Sequence, residues 1–177
     1  MYQAVVMQMT WPGAPTLYYG DEAGVTGWTD PDNRRTYPWG SEDKGLIEFH
    51  KKAIAVHRSS EALRTGSLHK LYGKDAVVAF GRSKGQERIV TVVNASDTSR
   101  TVNLPVWKTG CAMNATFENL LKTSPAGYDQ LKDVHQANGG WLSLTLVGQS
   151  SIVLKACDPA VEEDAKASGD TEKEITA

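Results

Sequence analysis

The chain has 177 residues, and its 19 lysines and arginines against 21 aspartates and glutamates give a formal charge of −2. That length suits one modest domain with some additional chain, and the balanced charge gives no support to nucleic acid or an anionic membrane as partner. No apolar run approaches the ~20 residues of a membrane span. Residues 1–13 lack the basic start and small-residue cleavage site of a signal peptide, so no compartment is assigned.

Taken in order, Met1 to Met9 is apolar with helical character and reads as the end of a helix leading into Pro12. Ala14 to Tyr19 is a short apolar run closed by Gly20, which predicts a buried parallel-type strand. A long loop from Gly20 to Gly40 follows, holding Asp21, Glu22, Asp30, Asp32, Arg34 and Arg35 among Trp28, Tyr37 and Trp39. It is too long for a plain connector and is a candidate for function. Ser41 is placed to cap a helix running to about Arg58, with Glu42 and Asp43 in its first turn. Leu46, Phe49, His50, Ala53, Ile54 and His57 recur at helical spacing and predict one buried stripe. The two histidines are read there as packing residues. A strand, loop and helix of this kind cannot bury themselves alone, so an N-terminal neighbouring portion is expected.

After Gly66 the pattern becomes short β-branched and aromatic runs separated by turn residues. Strands are predicted over 68–72, 76–82, 88–94, 100–106, 112–118, 140–146 and 150–156, with 119–137 an irregular excursion. This describes an antiparallel sandwich of about ninety residues. Trp141, opening an alternating strand, reads as core, and Trp107, near a turn, as exposed. Cys111 and Cys157 read as buried thiols rather than a disulfide framework. Asn94-Ala95-Ser96 and Asn114-Ala115-Thr116 fit the glycan acceptor pattern but read better as turns. From Cys157 to Ala177 there are seven acidic and two basic residues and almost nothing apolar, a composition that predicts disorder. No Cys/His cluster has metal-ligand spacing, and no metal or cofactor is expected.

Pro12-Gly13-Ala14-Pro15, Tyr18-Tyr19-Gly20-Asp21-Glu22 and Asp30-Pro31-Asp32-Asn33-Arg34, in this order and spacing, resemble the end of the catalytic barrel in the α-amylase family, glycoside hydrolase family 13. The likeness is greatest to its neopullulanase, cyclomaltodextrinase and maltogenic amylase branch. It runs from about Met1 to about Ala156. The resemblance implies a final strand, substrate loop and helix of a (β/α)8 barrel over 1–62 and a C-terminal β-sandwich over 63–156, and composition leaves 157–177 as the tail expected to be disordered.

Glycoside hydrolysis by retention needs two carboxyl groups ~5–5.5 Å apart across the scissile bond. Asp21 and Glu22 are adjacent, so on a strand they point in opposite directions and are read as local hydrogen-bonding groups. In the family, the nucleophile, acid/base and third aspartate come from earlier strands, so no catalytic residue is assigned here. The resemblance places Asp30 and Arg34 on a glucose unit at the non-reducing side of the cleavage point. Loop stabilisation by an ion pair is the competing account. Trp28 and Tyr37 are candidates for stacking on sugar rings, and Trp39 for stacking or for anchoring the loop. The expected ligand is an α-linked glucan such as starch, a maltooligosaccharide or a cyclodextrin. The alternatives are a stand-alone carbohydrate-binding sandwich, or an inactive truncated product that self-associates through exposed apolar surface on Met1 to Arg58.

Overall fold

The computed structural model describes residues 1–157. The segment expected to be disordered lies, from residue 158 on, outside the described residues. Among those described, no helix is long and apolar enough to cross a membrane.

Three helices come first: α1 (Tyr2–Thr10), α2 (Lys44–Ser59) and the short α3 (Glu61–Thr65). Nine strands follow: β1 (Ser67–Lys74), β2 (Val77–Lys84), β3 (Glu87–Asn94), β4 (Arg100–Pro105), β5 (Thr116–Ser124), β6 (Gly127–Asp129), β7 (Val134–Gln136), β8 (Trp141–Leu146) and β9 (Ser150–Ala156). The larger sheet runs β1-β2-β3-β9-β5-β6, with β7 also on β5, and the smaller pairs β4 with β8. Every pairing is antiparallel. The strands predicted after Gly66 are therefore present, with one displacement. The run expected at 112–118 begins at Thr116 and continues to Ser124, and the supposed excursion contributes β6 and β7.

The larger sheet is covered on both faces. One face packs against the β4–β8 pair through Val90, Val92, Leu104, Phe117, Leu144 and Leu154. The other packs against the helices through Ile89, Leu121 and Val153, which meet Val6, Met9, Phe49 and Leu63. Residues 89–94 of β3 are accordingly all buried, as a strand between two layers requires. β8 alternates instead, with Leu142, Leu144 and Leu146 inward. Trp141 is out of phase with them and is 45% exposed. The expectation that it lies in the core is thus corrected by the period-two alternation of a strand.

Three further expectations change. Ala14 to Tyr19 does not form a strand. No described strand lies beside it to complete a ladder, so its backbone turns to other partners. The Gln8 side-chain amide donates to the carbonyl of Thr16, and the rings of Tyr18 and Tyr19 pack on each other at 4.8 Å. The cap of α2 is Asp43 rather than Ser41, its Oδ1 accepting from the backbone N–H of Leu46 at 2.9 Å. The α2 stripe buries Val56 while leaving Ile54 and His57 half-buried. Both α2 histidines do pack structurally: Nδ1 of His50 donates to Leu46 O at 2.9 Å and that of His57 to Met9 O at 2.7 Å. Cys111 is buried with its thiol on Val106 O at 3.2 Å, but Cys157 is exposed, because it lies just past the end of β9.

Candidate functional site

The loop from Gly20 to Gly40 stands out from the helical layer and is organised by charge rather than by a core. A short 3₁₀ turn, Asp21–Ala23, opens it, and a second, Asp32–Arg34, forms its far end. Ala23 is buried, and its carbonyl accepts from Asp43 N at 3.1 Å, joining the loop to the start of α2. Gly27 packs so closely under the second turn that a Cβ there would come within 2.6 Å of the Asp32 carbonyl oxygen.

Two ion pairs are nested in this second turn. Arg34 places Nε 2.6 Å from Oδ1 of Asp30 and donates from Nη2 to Oδ2 at 2.8 Å, a two-pronged contact. Asp32 accepts at Oδ1 from Nε (3.0 Å) and Nη2 (2.6 Å) of Arg35, and at Oδ2 from the backbone N–H of Trp28 at 2.9 Å. The Arg35 bonds, and then the Trp28 N–H, hold the Asp32 carboxyl below its ordinary range despite some desolvation. Tyr19 reaches across and donates its hydroxyl to Arg35 O at 2.8 Å.

The predicted pair Asp30 and Arg34 is therefore formed, and it is exposed on both sides, 63% and 61%. An exposed ion pair contributes only ~0–1 kcal/mol to stability. The loop does not depend on it, and both groups keep donors and acceptors facing solvent. Trp28, at 83% exposure, lies beside them in sequence and is fixed at its backbone by Asp32. Tyr37 is half-buried and packs at 4.5 Å on Trp39, which is as exposed as Trp28. Desolvation first, and then the carboxylates of Glu22 and Glu42, raise the Tyr37 phenol pKa, so it stays a neutral donor.

Asp21 and Glu22 do not converge. Glu22 accepts from Gly20 N at 3.0 Å and bonds Tyr37, while Asp21 lines a hollow with Val5, Gln8 and His50. The Asp32–Arg35 pair was visible in the sequence only as charge. Its spacing of three beside the Asp30–Arg34 spacing of four is the signal that two pairs interlock.

Away from the loop, Trp107 and Trp141 are exposed at one end of the sandwich, with Nζ of Lys108 5.8 Å from the centre of the Trp107 ring. Asn94 is not an accessible glycan acceptor. Its side chain is fully buried and donates to the carbonyls of Thr98, Leu146 and Val147. Among the described residues, no group of three His, Cys, Asp or Glu side chains could hold a metal ion.

Residues 72–157 match the family model described as α-amylase, C-terminal all-β domain. The chain is similar to an amylopullulanase of Thermoanaerobacter thermohydrosulfuricus, 46% identical over 95 residues, which are 54% of this chain and 6% of that protein. It is also similar to a cyclomaltodextrinase of Thermoanaerobacter pseudethanolicus, 40% identical over 106 residues, covering 59% of this chain and 18% of that protein. Among solved structures, the α-amylase of Geobacillus thermoleovorans complexed with acarbose superposes with a TM-score of 0.75 at 25% identity, over 89% of this chain and 33% of that one. The chain thus spans a small part of the length of these proteins. Residues 72–157 belong to the α-amylase C-terminal all-β domain family, and the amylopullulanase, cyclomaltodextrinase and neopullulanase relatives agree with the neopullulanase and cyclomaltodextrinase branch of the α-amylase family.

Proposed function

We propose that the chain is the C-terminal part of a retaining glycoside hydrolase of α-linked glucans. In this reading, residues 1–62 supply the last strand, substrate loop and helix of a (β/α)8 barrel, and residues 63–156 the β-sandwich behind it. The catalytic carboxylates come from barrel strands outside these residues. The chain contributes one wall of the cleft, with Asp30 and Arg34 on sugar hydroxyls and Trp28 and Tyr37 against ring faces. The observation that carries this reading is the solvent-facing Asp30–Arg34 fork beside Trp28. Further support comes from Ala14 to Tyr19, a run of strand-like composition that has no described strand beside it, as a barrel strand without its neighbours would be. The 89% coverage of this chain by the amylase superposition extends well beyond the β domain.

The test is Asp30→Ala in an enzyme that presents this loop in a complete barrel. Oligosaccharide affinity should weaken by about 1.5–3 kcal/mol, the range for a lost charged hydrogen bond. Unchanged affinity removes the binding role. A second reading, a carbohydrate-binding sandwich, rests on the exposed Trp107 and Trp141. It predicts instead that substitutions at those residues abolish binding and that Asp30→Ala does not.

A further inference from the structure

The largest side chain below 2% exposure is a charged one, Arg82, itself 1% exposed. It lies on the face of β2 covered by the helices. Its Nη1 donates to the carbonyl of Thr10 and its Nη2 to that of Gly66, both at 2.9 Å. Its Nε is buried without a hydrogen-bond partner. Among the described residues no carboxylate pairs with it, and burial lowers its pKa unopposed. A guanidinium taken out of water without a counter-charge is costly, and an apolar side chain of similar volume would fill the space more favourably. Packing therefore does not explain it. The two carbonyl bonds do.

Those bonds reach a particular place. Thr10 ends α1, where unsatisfied carbonyls carry the negative end of the helix dipole and suit a cation. The adjoining residues are held too. Met9 O is bonded by His57, and the Trp11 indole meets Phe80 edge-on at 5.1 Å. Phe80 precedes Arg82 by two residues on the same face of β2. Gln8 holds Thr16 O further along. The point where the chain leaves α1 for the loop is thus gripped from the β domain by Arg82 and Phe80, and from α2 by His57.

We infer that Arg82, with Phe80, is a positioning residue for the carbohydrate loop: it fixes the end of α1 and so the base from which Trp28, Asp30 and Arg34 are presented. This inference rests on the cleft reading for its ligand, and on geometry alone for the joint itself. A β domain that serves as the footing of the cleft wall differs from one that is merely appended.

The experiment compares the unsubstituted protein with Arg82→Met and Arg82→Lys by hydrogen exchange, and titrates each with maltoheptaose in an enzyme that presents this loop in a complete barrel. In Arg82→Met, peptides over residues 5–20 should exchange about tenfold faster while those over 89–94 keep their protection, the signature of local rather than global opening. Lysine, able to reach one carbonyl, should restore part of the protection, and maltoheptaose affinity should fall and recover in parallel. Equal loosening of residues 5–20 and 89–94, or no change in either, overturns the positioning role. Failure of the unsubstituted enzyme, with this loop in a complete barrel, to bind maltoheptaose overturns the carbohydrate reading, and the exchange pattern still decides the joint.

Discussion

Replacing Glu87 with alanine should separate the helical layer from the sheet by a calculable amount. The Glu87 carboxylate, at 16% side-chain exposure, accepts at Oε2 from Ser60 Oγ (3.0 Å) and Ala62 N (2.9 Å), and at Oε1 lies 3.1 Å from Lys155 Nζ. The Ala62 amide is in the first turn of α3, and losing its charged acceptor costs about 1.5–2 kcal/mol. Ser60 keeps its own cap contact to Leu63 N at 3.1 Å, so its hydroxyl adds ~1 kcal/mol. Lys155 is exposed enough to turn to water, and its pair adds at most ~0.5 kcal/mol. The sum is about 3 kcal/mol, and Glu87→Gln, which keeps one acceptor, should lose about 1 kcal/mol. Burial of Glu87 pushes its pKa up, but the bonds from Ala62 and Lys155 and that from Ser60 outweigh it and hold the carboxyl below its ordinary range. A lowered carboxyl stabilises the fold above its unfolded pKa and loses that contribution as pH falls through the folded value. Urea denaturation should therefore show the full gap between wild type and Glu87→Gln at pH 7, narrowing below the ordinary glutamate range of ~4.3. A loss under ~0.5 kcal/mol for Glu87→Ala, or a wild type–Glu87→Gln gap that widens on acidification, would refute the reasoning.

Two other substitutions probe the same architecture. Phe49 is fully buried between the rings of Tyr2 (4.6 Å) and Tyr128 (5.0 Å), so Phe49→Ala should lower unfolding free energy by about 3–5 kcal/mol in the same assay. The turn joining β1 to β2 holds Asp75 and Ala76 at φ of 52° and 58°, the pairing that suits a hairpin but not an alanine side chain. Ala76→Gly should raise stability by about 0.5–1 kcal/mol, read as an upward shift of the urea midpoint.

The β domain was readable because its pattern is local. The run Ile89-Val90-Thr91-Val92-Val93 announces a strand buried on both faces, and Leu142, Leu144 and Leu146 announce one buried on a single face. Trp141 was misplaced because an aromatic at a strand start carries no phase of its own; the leucines that follow set it. Ala14 to Tyr19 has strand composition, but a strand is defined by its partners, and no described segment supplies one. The Asp30–Arg34 pair was legible from its spacing across Pro31. Arg82 was not, because its partner Thr10 lies 72 residues away, and a lone arginine in a polar-looking strand end reads as exposed. Asp43 displaced Ser41 as the cap of α2 because only its side chain reaches Leu46 N.

The central claim is that the loop, not the sandwich, meets the glucan, and one titration addresses it directly. The chain has five tryptophans, and each indole N–H gives its own NMR signal. On addition of maltoheptaose to an enzyme that presents this loop in a complete barrel, the account predicts movement of the Trp28 signal, and none at Trp107 or Trp141. Movement confined to Trp107 and Trp141, with Trp28 unchanged, would contradict it and place carbohydrate binding on the sandwich.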